Sequence, residues 1–499
     1  MTLDSRLDLF RRYLDQAGLD KKSYQIEGVE WCLRNELGLD LDLGLDLCIR
    51  GGIIADEMGL GKTITMIGLC VANVMRKTLI VLPVILLEQW AKQIYHTTGH
   101  KALIYHGTSK KKITLDILEK SVIVLTSYQS VVIRKIKKVG DRKEMVNLLH
   151  SVRWNRLVFD EAHHLRNTET KLFSACYALN SNIRWLMTGT PIQNKEKDFN
   201  SLCLILRMPM EMVKTGLILR RTKNDAGLIM PKLDYHLNKV NWSNMNEMAF
   251  SQSLHSRFEF LRLIDREKKL ENSDSDFEEL YRSACSVTGH FMIKGRGALL
   301  RLLSASRQTC ILPKLLKPAL DHFVVSGEIE TYDRRMISSC SKMNAVVSEI
   351  LCKRENGNGK LIFCYYHLEM MYLYEKLVKE GLKVLIYGKM PKRMEYRGPV
   401  LGKKDNLNEL NYDVVIIQIQ TGCEGLNLQK YSEVYFVSPH WNPMVEEQAI
   451  ARCHRIGQKK PVSVSHFTME DFYNSQSLDQ YILDTQERKK GVIRDFGFL

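Results

Sequence analysis

Residues Gly51–Thr63 read GGIIADEMGLGKT. A β-branched run enters a loop with glycines at 59 and 61, the loop ends in Gly61-Lys62-Thr63, and an apolar stretch of helical character follows. Glycines let backbone N–H groups crowd around phosphate oxygens, and the helix start that follows favours negative charge. Lys62 is the residue type that holds β- and γ-phosphates in such a loop, and the Thr63 hydroxyl is a Mg²⁺ ligand. The strict G-x-x-x-x-G-K-[ST] spelling fails at its first glycine, where Asp56 stands. An ordinary turn that happens to spell GKT is therefore the competing reading.

Downstream, Leu157–His164 reads LVFDEAHH, a short strand ending in two adjacent carboxylates. Acids at strand ends lie at the carboxyl edge of a parallel sheet, where ligands bind. Asp160 would hold Mg²⁺ and Glu161 would polarise an attacking water. Alone, the pair also fits a helix start with acids in its first turn. With GKT upstream, in the right order and on a matching strand, the nucleotide reading takes precedence.

The surrounding pattern is α/β. Thr78–Leu82 (TLIVL) and Ser121–Leu125 (SVIVL) are β-branched runs before turns, as are Lys360–Phe363, Val384–Ile386, Val414–Ile417 and Val434–Val437 in the second half. Residues 236–340 are rich in Lys, Glu, Ser and Leu, with no strand-like apolar run until His322–Val325; they predict helices and a linker, with Glu271–Glu279 as an acidic loop. Two α/β blocks flanking a helical segment predict two parallel-sheet lobes. The Leu37–Leu47 stretch, LGLDLDLGLDL, predicts a surface loop insertion.

Composition narrows the class. The 499 residues suggest about two to four domains. A hydrophobic fraction of 45 % supports a sizeable core. Lys plus Arg is 72 against 57 for Asp plus Glu, a net charge of +15, which points to a polyanionic partner such as nucleic acid. The 12 cysteines stand singly with no C-x-x-C pair, so no zinc module is expected, and a reducing compartment is. No stretch of 18 apolar residues occurs, so no membrane span is expected.

The run DEMGLGKT, Asp56–Thr63, resembles motif I of SWI/SNF-like (SNF2-type) ATPases of helicase superfamily 2, including the Asp in place of the first glycine. The likeness continues in order. Tyr24-Gln25 resembles the adenine-recognising Q motif, PVILLEQW at Pro83–Trp90 motif Ia, and Thr126-Ser127-Tyr128 motif Ib. DEAHHLRN at Asp160–Asn167 resembles motif II, TGTPIQN at Thr188–Asn194 motif III, and LRRTK at Leu219–Lys223 the element after the first lobe. Leu361–Cys364 opens motif IV, and TGCEGLNL at Thr421–Leu428 resembles motif V. PHWNP at Pro439–Pro443 and QAIARCHRIGQ at Gln448–Gln458 resemble the end of lobe 2 and motif VI. The HRIGQ and WNP spellings are similar to the DNA-translocating branch rather than to DEAH-box RNA helicases.

The resemblance implies an α/β fold of two RecA-like parallel-sheet lobes with a helical insertion and linker between them. The expected boundaries are 1–228 for lobe 1, 229–340 for the helical insertion and linker, 341–470 for lobe 2 and 471–499 for a C-terminal helical extension. It implies ATP and Mg²⁺ as cofactors. ATP is expected against Gln25, Asp56, Glu57, Met58, Gly59, Leu60, Gly61, Lys62, Thr63 and Gln448, with Mg²⁺ on Thr63 and Asp160. Arg452 and Arg455, three apart on one helical face, are implied arginine fingers presented from lobe 2, alongside Lys62, Asp160 and Glu161 in catalysis. His163, Thr188, Gly189 and Thr190 are implied to couple motif II to motif III. Thr126, Ser127, Thr421, Asn427 and Trp441 are implied to touch DNA, while Lys110–Lys112 and Arg134–Lys138 read, from their residues alone, first as solvated faces and second as sources of nonspecific phosphate affinity. The implied partner is double-stranded DNA, then nucleosomes or other DNA-bound proteins, with a nuclear location, or a cytoplasmic one for a viral or bacterial member. A strand-separating DNA or RNA helicase is the alternative. The chain departs from the family pattern in a short Asn194–Leu219 segment, in Cys423 where glycine is usual, and after Tyr387-Gly388.

Overall fold

The computed structural model describes residues 1–39, 50–132, 136–139, 142–145, 147–192, 196–256, 259, 298–325, 331–388, 390, 391, 396, 398, 400, 401, 411–422 and 426–495. Its strands are β1 (Arg50–Ile54), β2 (Thr78–Leu82), β3 (Leu103–Tyr105), β4 (Ile123–Ser127), β5 (Ile136–Val139), β6 (Arg142–Met145), β7 (Arg153–Asp160), β8 (Asn180–Met187) and β9 (Ile218–Leu219) in the first half. In the second half they are β10 (Leu233–Val240), β11 (Gly359–Cys364), β12 (Val384–Tyr387), β13 (Val400–Leu401), β14 (Val414–Gln418), β15 (Tyr431–Phe436) and β16 (Val462–Met469). Among the described residues these make two seven-stranded sheets, ordered β3-β4-β2-β7-β8-β1-β9 and β10-β16-β15-β11-β14-β12-β13, and a β5-β6 hairpin. Every pairing in the two large sheets is parallel, and the hairpin is antiparallel.

The chain divides into two compact units, Met1–Met230 with the chain end from Lys489, and Pro231–Arg488. In the first unit, Thr78–Leu82 is buried along its whole length, as expected for a parallel strand covered on both faces. Ile80, Leu82, Leu125, Val158 and Met187 from the strands share one core with Phe10, Leu33, Met66 and Trp90 from the helices Leu3–Gln16, Ser23–Leu37, Lys62–Ala72 and Leu87–Thr98. In the second unit the period of two is explicit. Ile362, Val384, Ile386, Val414 and Ile416 enter one core, while Leu361, Phe363, Leu385, Val415 and Ile417 enter the other.

Three expectations change. Residues 233–240 are not linker: LDYHLNKV is the edge strand β10, parallel to β16 from Leu233↔Val462 to Val240↔Met469. Paired on one side and largely exposed, it needs no apolar run, so nothing in its composition announced a strand. His322–Val325 closes a helix, Lys317–Val325, because Leu316 and Leu320, four apart, anchor that segment in the lobe 2 core. The helix Ala298–Ile311 contributes Leu302, Ala305 and Ile311 to the same core, so this part of the expected insertion packs as an integral layer of the second unit. The repeat at 40–47 and the acidic segment 271–279 lie outside the described residues. Among the described residues no helix is long and apolar enough to cross a membrane.

Candidate nucleotide site

β1 delivers the chain to a loop whose turns demand glycine: Gly59 has φ 97° and Gly61 φ 83°, both left-handed. A Cβ on Gly61 would lie 2.6 Å from Gln25 Nε2. That amide donates to the Leu60 carbonyl at 3.2 Å, so the Tyr24-Gln25 segment rests directly on the loop. The helix Lys62–Ala72 begins immediately after Gly61, with Thr63 as its second residue. Lys62 Nζ donates to the Asp56 carbonyl at 2.7 Å. It also stands beside motif III, 3.5 Å from where a Cβ on Gly189 would be; the same Cβ would meet Met58 at 2.9 Å.

The side chains of Asp56 and Glu57 face away from this role. Asp56 is buried, and Arg221 forks onto it, Nε to Oδ1 at 3.1 Å and NH2 to Oδ2 at 2.5 Å. Glu57 pairs with Lys223 Nζ at 2.9 Å and accepts from the Lys223 amide at 2.7 Å. Both were expected as nucleotide contacts; the structure makes their carboxylates the seats of the LRRTK segment, and β9, which ends at that segment's first residue, pairs with β1.

Asp160 is the last residue of β7. Its Oδ2 accepts from Trp90 Nε1 at 2.8 Å and its Oδ1 from the Glu161 amide at 2.9 Å, while Tyr128 Oη donates to its carbonyl at 2.7 Å. Motifs Ia and Ib thus supply the groups that aim motif II. Burial, then the adjacent Glu161 charge, raise Asp160 to about 7, against the opposing pull of Trp90, the Glu161 amide and Lys62. Glu161 is held left-handed at φ 51°, a strain of about 1–3 kcal/mol for a non-glycine residue. His163 Nδ1 lies 3.3 Å from Glu161 Oε2 and 3.4 Å from Thr188 Oγ1. Thr188 Oγ1 in turn accepts from the Thr190 amide at 3.1 Å, and the Thr188 amide donates to Ile54 of β1 at 3.1 Å. Motifs I, II and III therefore form one connected constellation at the carboxyl edge of the first sheet.

The residues present fit a magnesium–triphosphate. Two adjacent carboxylates, one buried, leave an excess of negative charge that a divalent cation offsets, and Mg²⁺ takes few protein ligands beside substrate oxygens and waters. Asp160 and Thr63 would hold it, and Lys62 and the loop amides would face the phosphates.

The second unit carries the remaining expected residues. Gln448 is buried in the helix Pro443–Ile450, and its Nε2 has no hydrogen-bond partner among the described residues. Arg452 and Arg455 do not share a helical face. That helix ends at Ile450, and the two arginines sit in the turns beyond it, where the Arg455 amide donates to Cys453 and the Arg452 carbonyl accepts from Leu428. Burial, then the Arg452 charge, lower Arg455, so the two guanidiniums sense each other. Gln458, which nothing local in the sequence marks for a role, organises this loop. Its Nε2 donates to the Gln429, Tyr431 and Cys453 carbonyls, and its Oε1 accepts from the Lys459 and Lys460 amides. Gly457, at φ 96°, makes the turn that brings it back.

Of the residues expected at DNA, Thr126 and Ser127 are corrected. Both are buried: Thr126 Oγ1 donates to the Tyr105 carbonyl at 2.8 Å, and Ser127 Oγ bonds His106 Nδ1 at 2.8 Å and Ser130 Oγ at 2.9 Å. Their hydroxyls are taken up by Tyr105, His106 and Ser130 and do not face solvent. Trp441 is half-buried, packed on the lobe 2 core and edge-on to Tyr481 at 6.1 Å. Asn427 is exposed. Thr421 lies in a short helix, Ile419–Gly422, and its side chain, like Cys423 and residues 134 and 135, is outside the described set.

The family model of the SNF2-related domain matches residues 24–215, and the helicase conserved C-terminal domain matches residues 341–457. The chain belongs to the SNF2 family of helicase-like ATPases. A probable global transactivator of Orgyia pseudotsugata multicapsid polyhedrosis virus is 29 % identical over 478 residues, covering 93 % of this chain and 89 % of that protein. The DNA repair protein rad8 of Schizosaccharomyces pombe is 24 % identical, covering 90 % of this chain but 52 % of its own length. The ATP-dependent DNA helicase DDM1 of Arabidopsis thaliana is 26 % identical, covering 94 % and 60 %. The SNF2-type chain thus spans little more than half of these two cellular relatives. Among solved structures, the Hef helicase domain of Pyrococcus furiosus shares the fold at a TM-score of 0.53 and 16 % identity, covering 88 % of this chain and 96 % of that one.

Proposed function

We propose that this SNF2-type ATPase is DNA-dependent and couples ATP hydrolysis to movement along double-stranded DNA, remodelling protein–DNA complexes in chromatin, repair or transcription. The observation that carries the reading is the convergence of Lys62, Asp160 and Glu161 at one sheet edge, wired to motif III through His163 and Thr188. Lys62 binds the β- and γ-phosphates, Asp160 and Thr63 hold Mg²⁺, and Glu161 accepts a proton from the attacking water. Mg²⁺ supplies charge neutralisation at the phosphate oxygens. Arg452 and Arg455 offer positive charge to the transferred phosphoryl group, a contribution of about 10³–10⁵ in rate in other NTPases. Gln25 and Gln448 face the base and nucleotide, and the His163–Thr188 link relays the state of motif II.

The net charge of +15 supports a nucleic-acid track. Asn427 and Trp441 are proposed contacts to it, together with the basic turn Ser109–Lys112, whose register is fixed by Ser109 Oγ donating to His106 at 2.6 Å. Such contacts read backbone rather than sequence.

A triplex displacement assay tests the movement. A DNA third strand bound to a duplex is expected to be expelled with ATP, and not with a non-hydrolysable analogue, while the duplex strands stay paired. Release of a labelled duplex strand would favour the strand-separating alternative.

A further inference from the structure

Asp56 breaks the glycine pattern of the phosphate loop, and its partner explains why. We propose that Arg221 is a positioning residue that locks the base-reading pair Tyr24-Gln25 to the phosphate-cradling loop and thereby sets the preference for adenine. The inference rests on ATP occupying the loop as proposed above.

Arg221 uses all three nitrogens. Nε and NH2 fork onto Asp56, NH1 donates to the Tyr24 carbonyl, and the guanidinium lies 5.7 Å from the Tyr24 ring centre. The backbone beneath it is pinned as well: the Ala55 amide donates to Leu219 at 2.7 Å and the Glu57 amide to Arg221 at 2.8 Å. The arginine therefore sits on the same stretch that begins the loop. From there it reaches across to the residue preceding Gln25, whose amide already rests on Leu60. Room for the guanidinium is made by Gly28, one helical turn on; a Cβ there would stand 2.8 Å from Arg221 NH2. A lysine keeps the charge beside Asp56 but has no planar fork and cannot reach both partners at once. A base bound at Tyr24-Gln25 and phosphates bound at 56–63 are parts of one ligand, so the link fixes the separation between them.

The test measures kcat and KM for ATP and for GTP on the full chain in the parent, Arg221→Lys, Gly28→Ala and Lys62→Ala. Arg221→Lys leaves Asp56 compensated, and Gly28→Ala displaces the guanidinium without touching it. Both are expected to lower the ATP-over-GTP preference in kcat/KM by about fivefold or more through KM for ATP, the scale of one lost hydrogen bond, with kcat little changed. Damage that is only structural lowers both nucleotides together. An unchanged preference, or an equal loss for ATP and GTP in both variants while Lys62→Ala is inactive, overturns the positioning role alone. If Lys62→Ala hydrolyses ATP like the parent, the phosphate-site reading fails and this inference falls with it.

Discussion

Glu36→Gln is expected to cost the first unit about 3–5 kcal/mol, the scale for breaking a buried ion pair from one side. Both partners are fully buried, and the carboxylate is surrounded only by donors. Arg156 Nε at 2.6 Å and Trp185 Nε1 at 2.8 Å address Oε1; Arg156 NH2 at 2.6 Å and Asn73 Nδ2 at 2.7 Å address Oε2. An amide in that place must aim its NH₂ at two donors and leaves Arg156 uncompensated. Burial, the largest single influence, lowers Arg156; the Glu36 charge, with the Cys70 charge and the hydrogen bonds to both, more than reverses this. The four residues belong to the Gln25 helix, the end of the Lys62 helix, the Asp160 strand and β8, so the pair is the strut beneath the candidate nucleotide site. With a urea slope of about 2–3 kcal/mol per molar, the midpoint falls by about 1–2.5 M. Tryptophan fluorescence reads this, since Trp31, Trp90, Trp154 and Trp185 of the 6 tryptophans lie in the first unit. Replacing both partners, Glu36→Met with Arg156→Met, should recover most of the loss. A single Glu36→Gln variant within about 1 kcal/mol of the parent would mean that the Glu36–Arg156 pair does not hold the first unit together.

Glu161→Gln should retain ATP binding while turnover falls by about 10²–10³-fold or more, on the scale of lost acid–base assistance; wild-type turnover in that variant removes Glu161 from the mechanism. Gly61→Ala should raise the ATP KM, because a left-handed residue is strained by about 1–2 kcal/mol and its Cβ displaces Gln25; an unchanged KM would show that the loop conformation is not required. His255 gives a pH dependence in the second unit. Burial lowers it to about 4, against the Ser251 carbonyl and the Asp479 charge that raise it. The unfolded chain takes up a proton near 6.5 and the folded chain does not until about 4, so its contribution is complete above about pH 6.5 and falls by about 3 kcal/mol on going down to pH 4. Urea midpoints at pH 7.5 and 4.5 should differ less in His255→Gln than in the parent, and equal differences would contradict the assignment.

The sequence was legible where chemistry repeats a spelling. The glycines at 59 and 61, Lys62, and the adjacent acids Asp160 and Glu161 follow a spelling that phosphate and metal binding would constrain, and their spacing survives as pattern. It was opaque where a residue is defined by a distant partner. Nothing local marks Arg221 as the mate of Asp56, 165 positions away, or Glu36 as the mate of Arg156, 120 away. Thr126 and Ser127 looked like free hydroxyls because a buried hydroxyl bonded to a carbonyl has the same letters as an exposed one. β10 escaped because an edge strand can remain polar. The arginines of motif VI kept their spacing, but the helix that the spacing suggested stops at Ile450, where the turns organised by Gln458 begin.

Dependence on duplex DNA is read by steady-state ATP hydrolysis without nucleic acid and with duplex DNA, single-stranded DNA or RNA, at two salt concentrations. Duplex DNA is expected to stimulate turnover strongly, and the stimulation to weaken as salt rises because phosphate contacts release counterions. Equal rates under all four conditions, or stimulation by RNA and not by duplex DNA, would contradict that dependence.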